Sequence, residues 1–167
     1  MASALTAASA QVWIGGDLEY QMNSSTKKSG DTNKSETFTI APEVGYDLND
    51  KWSVAAKLQF THNYGDNGEI NNSISISPYV RYYYYEFDKV RLLIDGGMNA
   101  GTTHVRGTES NINTFGLFLK PGVAYELNDR FGIEAHIGSL DWNKDKNYSD
   151  FRLKLHTSLI LGFYVNL

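Results

Sequence analysis

Residues along this chain alternate between an uncharged, mostly apolar set and a set that carries charge. Counting every second residue gives Val12, Ile14, Gly16, Leu18, Tyr20 and Met22, while Asp17 and Glu19 fall between them. The split returns at the end of the chain. There Phe151, Leu153, Leu155, Thr157, Leu159, Leu161, Phe163, Val165 and Leu167 alternate with Arg152, Lys154 and His156 among others. A side-chain period of two marks a β-strand. An apolar face sustained from 151 to 167 outruns the about 5–6 residues of an ordinary soluble strand and suits a tilted strand crossing a bilayer. The pattern predicts eight strands, near 12–22, 36–46, 52–63, 73–86, 89–100, 113–126, 130–140 and 151–166. Their connections alternate. Turns at 47–51, 87–88 and 127–129 are tight, whereas 23–35, 64–72, 101–112 and 141–150 are longer and polar.

An internal repeat organises the hairpins. Pro42, Val44, Tyr46, Leu48, Asn49 and Asp50 recur as Pro121, Val123, Tyr125, Leu127, Asn128 and Asp129, and a weaker copy holds Pro78, Val80 and Tyr82. Tyr46 to Trp52, Tyr84 to Val90 and Tyr125 to Phe131 are each six apart, an even spacing that keeps one face on one side after the chain reverses. Each copy reads as a hairpin with an Asn/Asp-containing turn. The prolines lie inside strands and lack a ladder donor, so they are expected at bulges near the short turns.

Periodicity yields two faces, and their content says which faces outward. One collects Phe38, Ile40, Val44, Leu58, Phe60, Ile74, Ile76, Val80, Leu117, Leu119 and Ile133. The other collects Glu19, Glu43, Lys57, Arg81, Arg91, Asp95, Lys120, Glu134, Arg152 and Lys154. A charge aimed at hydrocarbon near the midplane costs roughly 2–4 kcal/mol, and a domain is stable by only about 5–15 kcal/mol. In a membrane the charges must therefore point inward, where acids and bases can pair. A soluble lipocalin-like carrier barrel would invert the arrangement and fits the alternation equally well. The loop asymmetry and the many large side chains favour the membrane arrangement. Aromatic residues add to this: Tyr46, Trp52, Tyr82, Tyr84, Tyr125, Phe131 and Phe163 fall near the short turns, and Tyr20, Phe38, Phe60, Tyr64, Phe115 and Phe151 near the long loops. Two rings of aromatics around aliphatic midsections match interfacial girdles.

The alternating strands, the Pro-x-Val-x-Tyr-[Asp/Glu]-Leu-Asn-Asp hairpins and the ending Gly162-Phe163-Tyr164-Val165-Asn166-Leu167 resemble small outer-membrane β-barrels of the OmpA/OmpX type in the style of Bacteroidetes relatives. The resemblance covers Val12 to Leu167. It implies an all-β, eight-stranded antiparallel up-and-down transmembrane β-barrel in a bacterial outer membrane, both termini periplasmic. It also implies that Phe163, Val165 and Leu167 form the C-terminal signal read by the barrel assembly machinery, although Leu167 stands where the family commonly ends in Phe. No peptidoglycan-binding domain follows, so a cell-wall tether is not expected.

Composition narrows the picture further. The 167 residues are read as one barrel domain, 12–167, preceded by 1–11 as a disordered remnant of a signal peptide or tag. A net charge of −4 supplies no basic field for nucleic acid, and the absence of cysteine excludes disulfides and thiolate metal sites. The mean hydropathy of −0.38 is compatible with a membrane barrel, because only half of each strand meets lipid.

Eight strands enclose a space just wide enough for side chains, so the inward charges read as a salt-bridge plug with Glu43, Lys57, Arg81, Asp95, Lys120, Glu134 and Arg152 at its centre. A narrow gated ion path through the same residues is the alternative. His136 and His156 are expected opposite each other in the lumen near Glu134. Two His and a carboxylate can hold zinc, but without a third close ligand a hydrogen-bonded pair is expected and no metal or cofactor is assigned. His156 and Ser158 resemble the His-x-Ser of an outer-membrane lipid A deacylase. That enzyme's site faces lipid, whereas these residues take the inward parity and no carboxylate follows, so no enzyme is expected. The expected role is structural or accessory. The partners are outer-membrane lipid, the assembly machinery and other envelope proteins met through the loops or the barrel wall.

Overall fold

The computed structural model describes residues 11–26, 32–65, 70–105, 111–144, 149–154 and 160–167. Its strands are β1 (Gln11–Thr26), β2 (Thr32–Asn49), β3 (Trp52–Gly65), β4 (Ile70–Phe87), β5 (Val90–Val105), β6 (Asn111–Glu126), β7 (Phe131–His136), β8 (Ser139–Lys144), β9 (Ser149–Lys154) and β10 (Ile160–Asn166). β7 and β8 both pair with β6 and form one stave; β9 pairs with β8 and β10 with β7, and together they form the last. β10 also pairs with β1, so eight antiparallel staves close into a barrel. The expected strand count and topology hold. Among the described residues no helix is long and apolar enough to cross a membrane.

Strand bounds differ from expectation mainly at the long-loop end. β4, β5 and β6 run further there because cross-strand polar pairs continue the ladders: His62 meets Asn72 at 2.7 Å, Ser73 meets Thr103 at 2.9 Å, and His104 meets Asn111 at 3.0 Å. Their side chains look like loop in sequence, yet each satisfies its neighbour across the strand. Gln11 pairs with Asp47 and belongs to β1, one residue earlier than expected. Residues 1–10 fall outside the described residues.

The three tight hairpins share one construction. Register shifts place an extra residue at Leu48 in β2 and at Tyr84 in β4, and the Leu127 and Asn128 amides both donate to the Phe131 carbonyl at 2.9 and 3.2 Å. Each extra residue lies six positions after the repeat proline and is exposed. The turn asparagines act alike: Asn49 Oδ1 accepts from the Lys51 and Trp52 amides at 2.9 and 3.1 Å, and Asn128 Oδ1 from those of Arg130 and Phe131 at 2.9 and 3.0 Å. At the third turn Asp88 takes the left-handed conformation, φ 53°, that Asn and Asp tolerate.

The prolines are not themselves bulged, which corrects the expectation above. Around Pro42 and Pro78 the register is unchanged on both sides. The ladder to the following strand simply skips two residues, 41–42 and 77–78, where the N–H is missing. Opposite Pro121 the irregularity falls on the partner stave. Ile137 and Gly138 interrupt it, Gly138 adopts φ 78°, and the Ile137 amide donates to the Pro121 carbonyl at 3.1 Å.

Parity sets burial as expected. Trp13, Tyr79, Tyr83, Leu93, Ala124 and Tyr164 form a buried apolar cluster within the barrel. Ile14, Leu18, Ile40, Val44, Leu58, Phe60, Ile76, Leu117 and Leu161 stand exposed on the outer wall. Two glycines allow the large rings to lie flat within the lumen: a Cβ at Gly45 would fall 2.1 Å from the Trp13 ring, and one at Gly132 would fall 2.2 Å from that of Tyr164. Each glycine is the cross-strand partner of the residue whose ring covers it.

Candidate functional site: an ionic cluster in the lumen

The inner wall gathers charge at mid-barrel because inward positions of several staves reach the same level. Two ion pairs come from directly opposed residues, Glu43 with Lys57 and Arg81 with Asp95. The first has Lys57 Nζ 3.1 Å from Glu43 Oε2; the same ammonium also binds the Asp17 carboxylate on β1. The Tyr79 hydroxyl donates to Glu43 Oε2 at 2.8 Å.

Arg81 is the hub. Its side chain is 1% exposed and grips two carboxylates. Nε and Nη2 donate to the Asp95 oxygens at 2.7 and 2.9 Å, while Nη1 and Nη2 reach across to Glu134 on β7 at 2.6 and 3.0 Å. A guanidinium suits this role because its planar donor fork matches two carboxylates at once. The Trp13 and Tyr79 rings lie 5.4 and 5.6 Å from it. His136 Nε2 sits 2.9 Å from Asp95 Oδ2. The close partner of His136 is Asp95, and the expected pairing with His156 lies outside the described residues.

Other expected members sit apart from this hub. Arg91 forms a second group nearer the tight turns, with Nε 3.0 Å from Glu126 Oε1, Nη2 donating to the Tyr164 hydroxyl at 3.3 Å, and the guanidinium 4.1 Å from the Tyr83 ring. Lys120 is half-buried with its ammonium 5.0 Å from the Phe118 ring. Glu19 is half-buried on the inward face. Arg152 and Lys154 lie on β9, and their side chains are outside the described residues. Sequence reasoning passed over Asp17, although it shares the parity of Glu19, and over Tyr79, Trp13 and Asp47, which tie the cluster to its surroundings. Trp13 Nε1 donates to Asp47 Oδ1 at 3.1 Å. The missed signal was parity itself, which applies to aromatic and polar residues as much as to the charges.

Cavities flank the hub. One of about 60 Å³ lies toward the long loops among Lys57, Ser77, Asn99, Phe118 and Lys120. Another of about 240 Å³ opens at the tight-turn end among Asp47, Asp50, Arg91, Glu126 and Asn166. A concavity of about 640 Å³ is on the outer wall beside Phe38, Ile40, Phe60, Ile74, His62 and His104.

An aliphatic exterior on a closed barrel with an ionic interior is the inverse of a soluble protein. The family profile of the outer membrane protein beta-barrel domain matches residues 1–160. The chain belongs to that family. It is thus a transmembrane outer-membrane β-barrel, of the kind the sequence resembles. No curated protein matches it. Neisserial surface protein A is similar in fold, with a TM-score of 0.69 and 17% identity over 93% of this chain and 97% of that one. The N-terminal barrel domain of Pseudomonas aeruginosa OprF gives 0.55 and 14%, over 94% and 97%. OprG from Pseudomonas aeruginosa gives 0.52 and 14%, over 96% and 97%. At these identities the likeness concerns the fold.

Proposed function

We propose that this outer-membrane barrel is a non-enzymatic envelope protein whose lumen is closed by the Arg81-centred cluster and whose contacts are made by its lipid-facing wall and long loops. The observation that carries this reading is Arg81 itself. A buried guanidinium held by carboxylate oxygens from both β5 and β7, with the Trp13 ring facing it, supports a lumen closed at its level. Moving ions past it would require breaking several charge-assisted hydrogen bonds at once. β1 begins and β10 ends at the tight-turn end, which supports periplasmic termini, because such barrels have short periplasmic turns. Phe163 and Leu167 are exposed and Val165 half-buried on the outer side of the last strand, where the assembly machinery can read them. Outer-membrane lipid covers the wall, and other envelope proteins meet the barrel through its loops.

The test is to fold the chain into lipid vesicles and record both heat-modifiable gel mobility and conductance across a planar bilayer. The expected result is a detergent-dependent, heat-modifiable band with no steady conductance at neutral pH. A steady conducting state would replace the plug with the gated pore, and a monomer stable in buffer without detergent would return the carrier reading.

A further inference from the structure

The outer wall changes character between two neighbouring rungs near the long loops. One rung runs from β2 to β5 as Ile40, Phe60, Ile74 and Thr102, each opposite the next. The rung beyond it, closer to the loops, runs from β2 to β6 as Phe38, His62, Asn72, His104 and Asn111. Both rungs line the concavity of about 640 Å³, which therefore has a mostly apolar floor and a polar rim. Its depth in the wall follows from β3. His62 lies ten residues beyond Trp52, the exposed aromatic at the tight-turn end of that strand. Ten residues at about 3.3 Å each, tilted by about 40°, rise about 25 Å, the height of a barrel's apolar band. The polar rim sits where hydrocarbon gives way to lipid head groups.

The rim repeats one construction. His62 Nδ1 donates to Asn72 Oδ1 at 2.7 Å, and His104 Nδ1 donates to Asn111 Oδ1 at 3.0 Å. An amide oxygen only accepts, so Nδ1 carries the proton and Nε2 of the neutral ring is left as an acceptor. Each asparagine keeps its Nδ2 amide as a donor. Among the described residues no hydrogen bond engages either Nε2 or either Nδ2. No described lining residue carries a fixed charge. The rim thus offers acceptors and donors in alternation. A hydroxyl answers both, donating to Nε2 and accepting from Nδ2. An ionised phosphate oxygen can only accept, and would face the Nε2 lone pair.

We propose that this hollow binds a glycolipid of the outer leaflet, with an acyl chain against Phe60 and Ile74 and sugar hydroxyls on the His62–Asn72 and His104–Asn111 pairs. The inference rests on the proposed reading of a lipid-facing wall with its long loops outward. It places recognition in the uncharged sugar and not in any phosphate the lipid carries. Burial of the chain supplies non-directional attraction, and the rim supplies the choice of head group.

The experiment refolds the full chain into a polyoxyethylene detergent, which brings no sugar head of its own, and checks for the heat-modifiable band. Native mass spectrometry then measures retention of three probes: lipid A, lipid A stripped of its phosphates, and phosphatidylcholine, whose head group has no hydrogen-bond donor. One equivalent of either glycolipid is expected, the two held equally and unmoved by added salt. Phosphatidylcholine should be held about tenfold less. Joint His62→Leu and His104→Leu substitution should cut glycolipid retention about tenfold or more, for the hydrogen bonds lost, and leave phosphatidylcholine unchanged. If that variant gives no heat-modifiable band, Thr102→Trp serves instead, since its ring fills the hollow beside Ile74 and should lower glycolipid retention as well. Equal retention of phosphatidylcholine, loss of binding on removal of the phosphates, or retention unchanged in a folded variant would overturn the site and leave the membrane reading standing. A chain stable in buffer without detergent would overturn both.

Discussion

Lys57 and Leu58 are neighbours in the chain and lie on opposite walls. Lys57 is buried in the lumen between two carboxylates; Leu58 is exposed on the outer wall beside Ile76. Neither side chain is unusual for a protein. What is unusual is that the ionic one is inside, and the difference between the walls lies in partners. Each inner charge of the hub has a counter-charge held by a neighbouring or opposing stave, whereas the outer wall offers only aliphatic and aromatic neighbours. The walls can be exchanged or broken one residue at a time, and the cost of each change ranks the terms.

The largest effect is expected from Arg81→Met. It removes the cation between Asp95 and Glu134 and strands both in a dry interior, a change worth about 3–5 kcal/mol. Reversible urea unfolding in lipid vesicles, followed by tryptophan fluorescence, would read it. Adding Asp95→Asn and Glu134→Gln to the same chain should recover much of the loss. If the triple variant is no better than the single, packing of the guanidinium rather than stranded charge is the cause.

Leu58→Lys comes next. It places on the outer wall the residue type that Lys57 presents inside, with no carboxylate to meet it. A lipid-facing lysine near mid-bilayer is expected to cost roughly 2–4 kcal/mol in the same unfolding assay. A negligible cost would mean that this position sees water.

The smallest effect is expected from Arg91→Met. Arg91 shares the inward parity of Arg81, but its side chain is 16% exposed and its partner Glu126 is 41% exposed. Such a pair is screened by solvent and contributes about 0–1 kcal/mol, so the loss should shrink further as salt is added. A cost equal to that of Arg81→Met would erase the distinction between the hub and the wetter tight-turn end.

Parity made most of this legible in sequence. It gave the strand count, the outward aliphatic face and the inward placement of Glu43, Lys57, Arg81, Asp95 and Glu134, because a period of two fixes the side of each residue once one is known. It could not say who meets whom across the lumen. Arg81 joins Glu134 from β4 to β7, a contact set by how the staves close and not by any local spacing. His136 finds Asp95 for the same reason. Strand ends at the long-loop side were hidden because Asn71, Asn72, Thr103, His104 and Asn111 are polar on both faces, which erases the alternation. The prolines misled because a missing donor was equated with a bulge, whereas at Pro42 and Pro78 the ladder skips the gap without shifting register.

The orientation of the walls can be read directly at Ile76 and Ser77, adjacent residues that are 53% and 3% exposed. The chain has no cysteine, so Ile76→Cys and Ser77→Cys each introduce a single attachment point for a spin label. In bilayers, the label at 76 should collide freely with dissolved oxygen and stay hidden from a water-soluble nickel complex, while the label at 77 should be hindered from both. High oxygen accessibility at 77 with none at 76 would contradict the account.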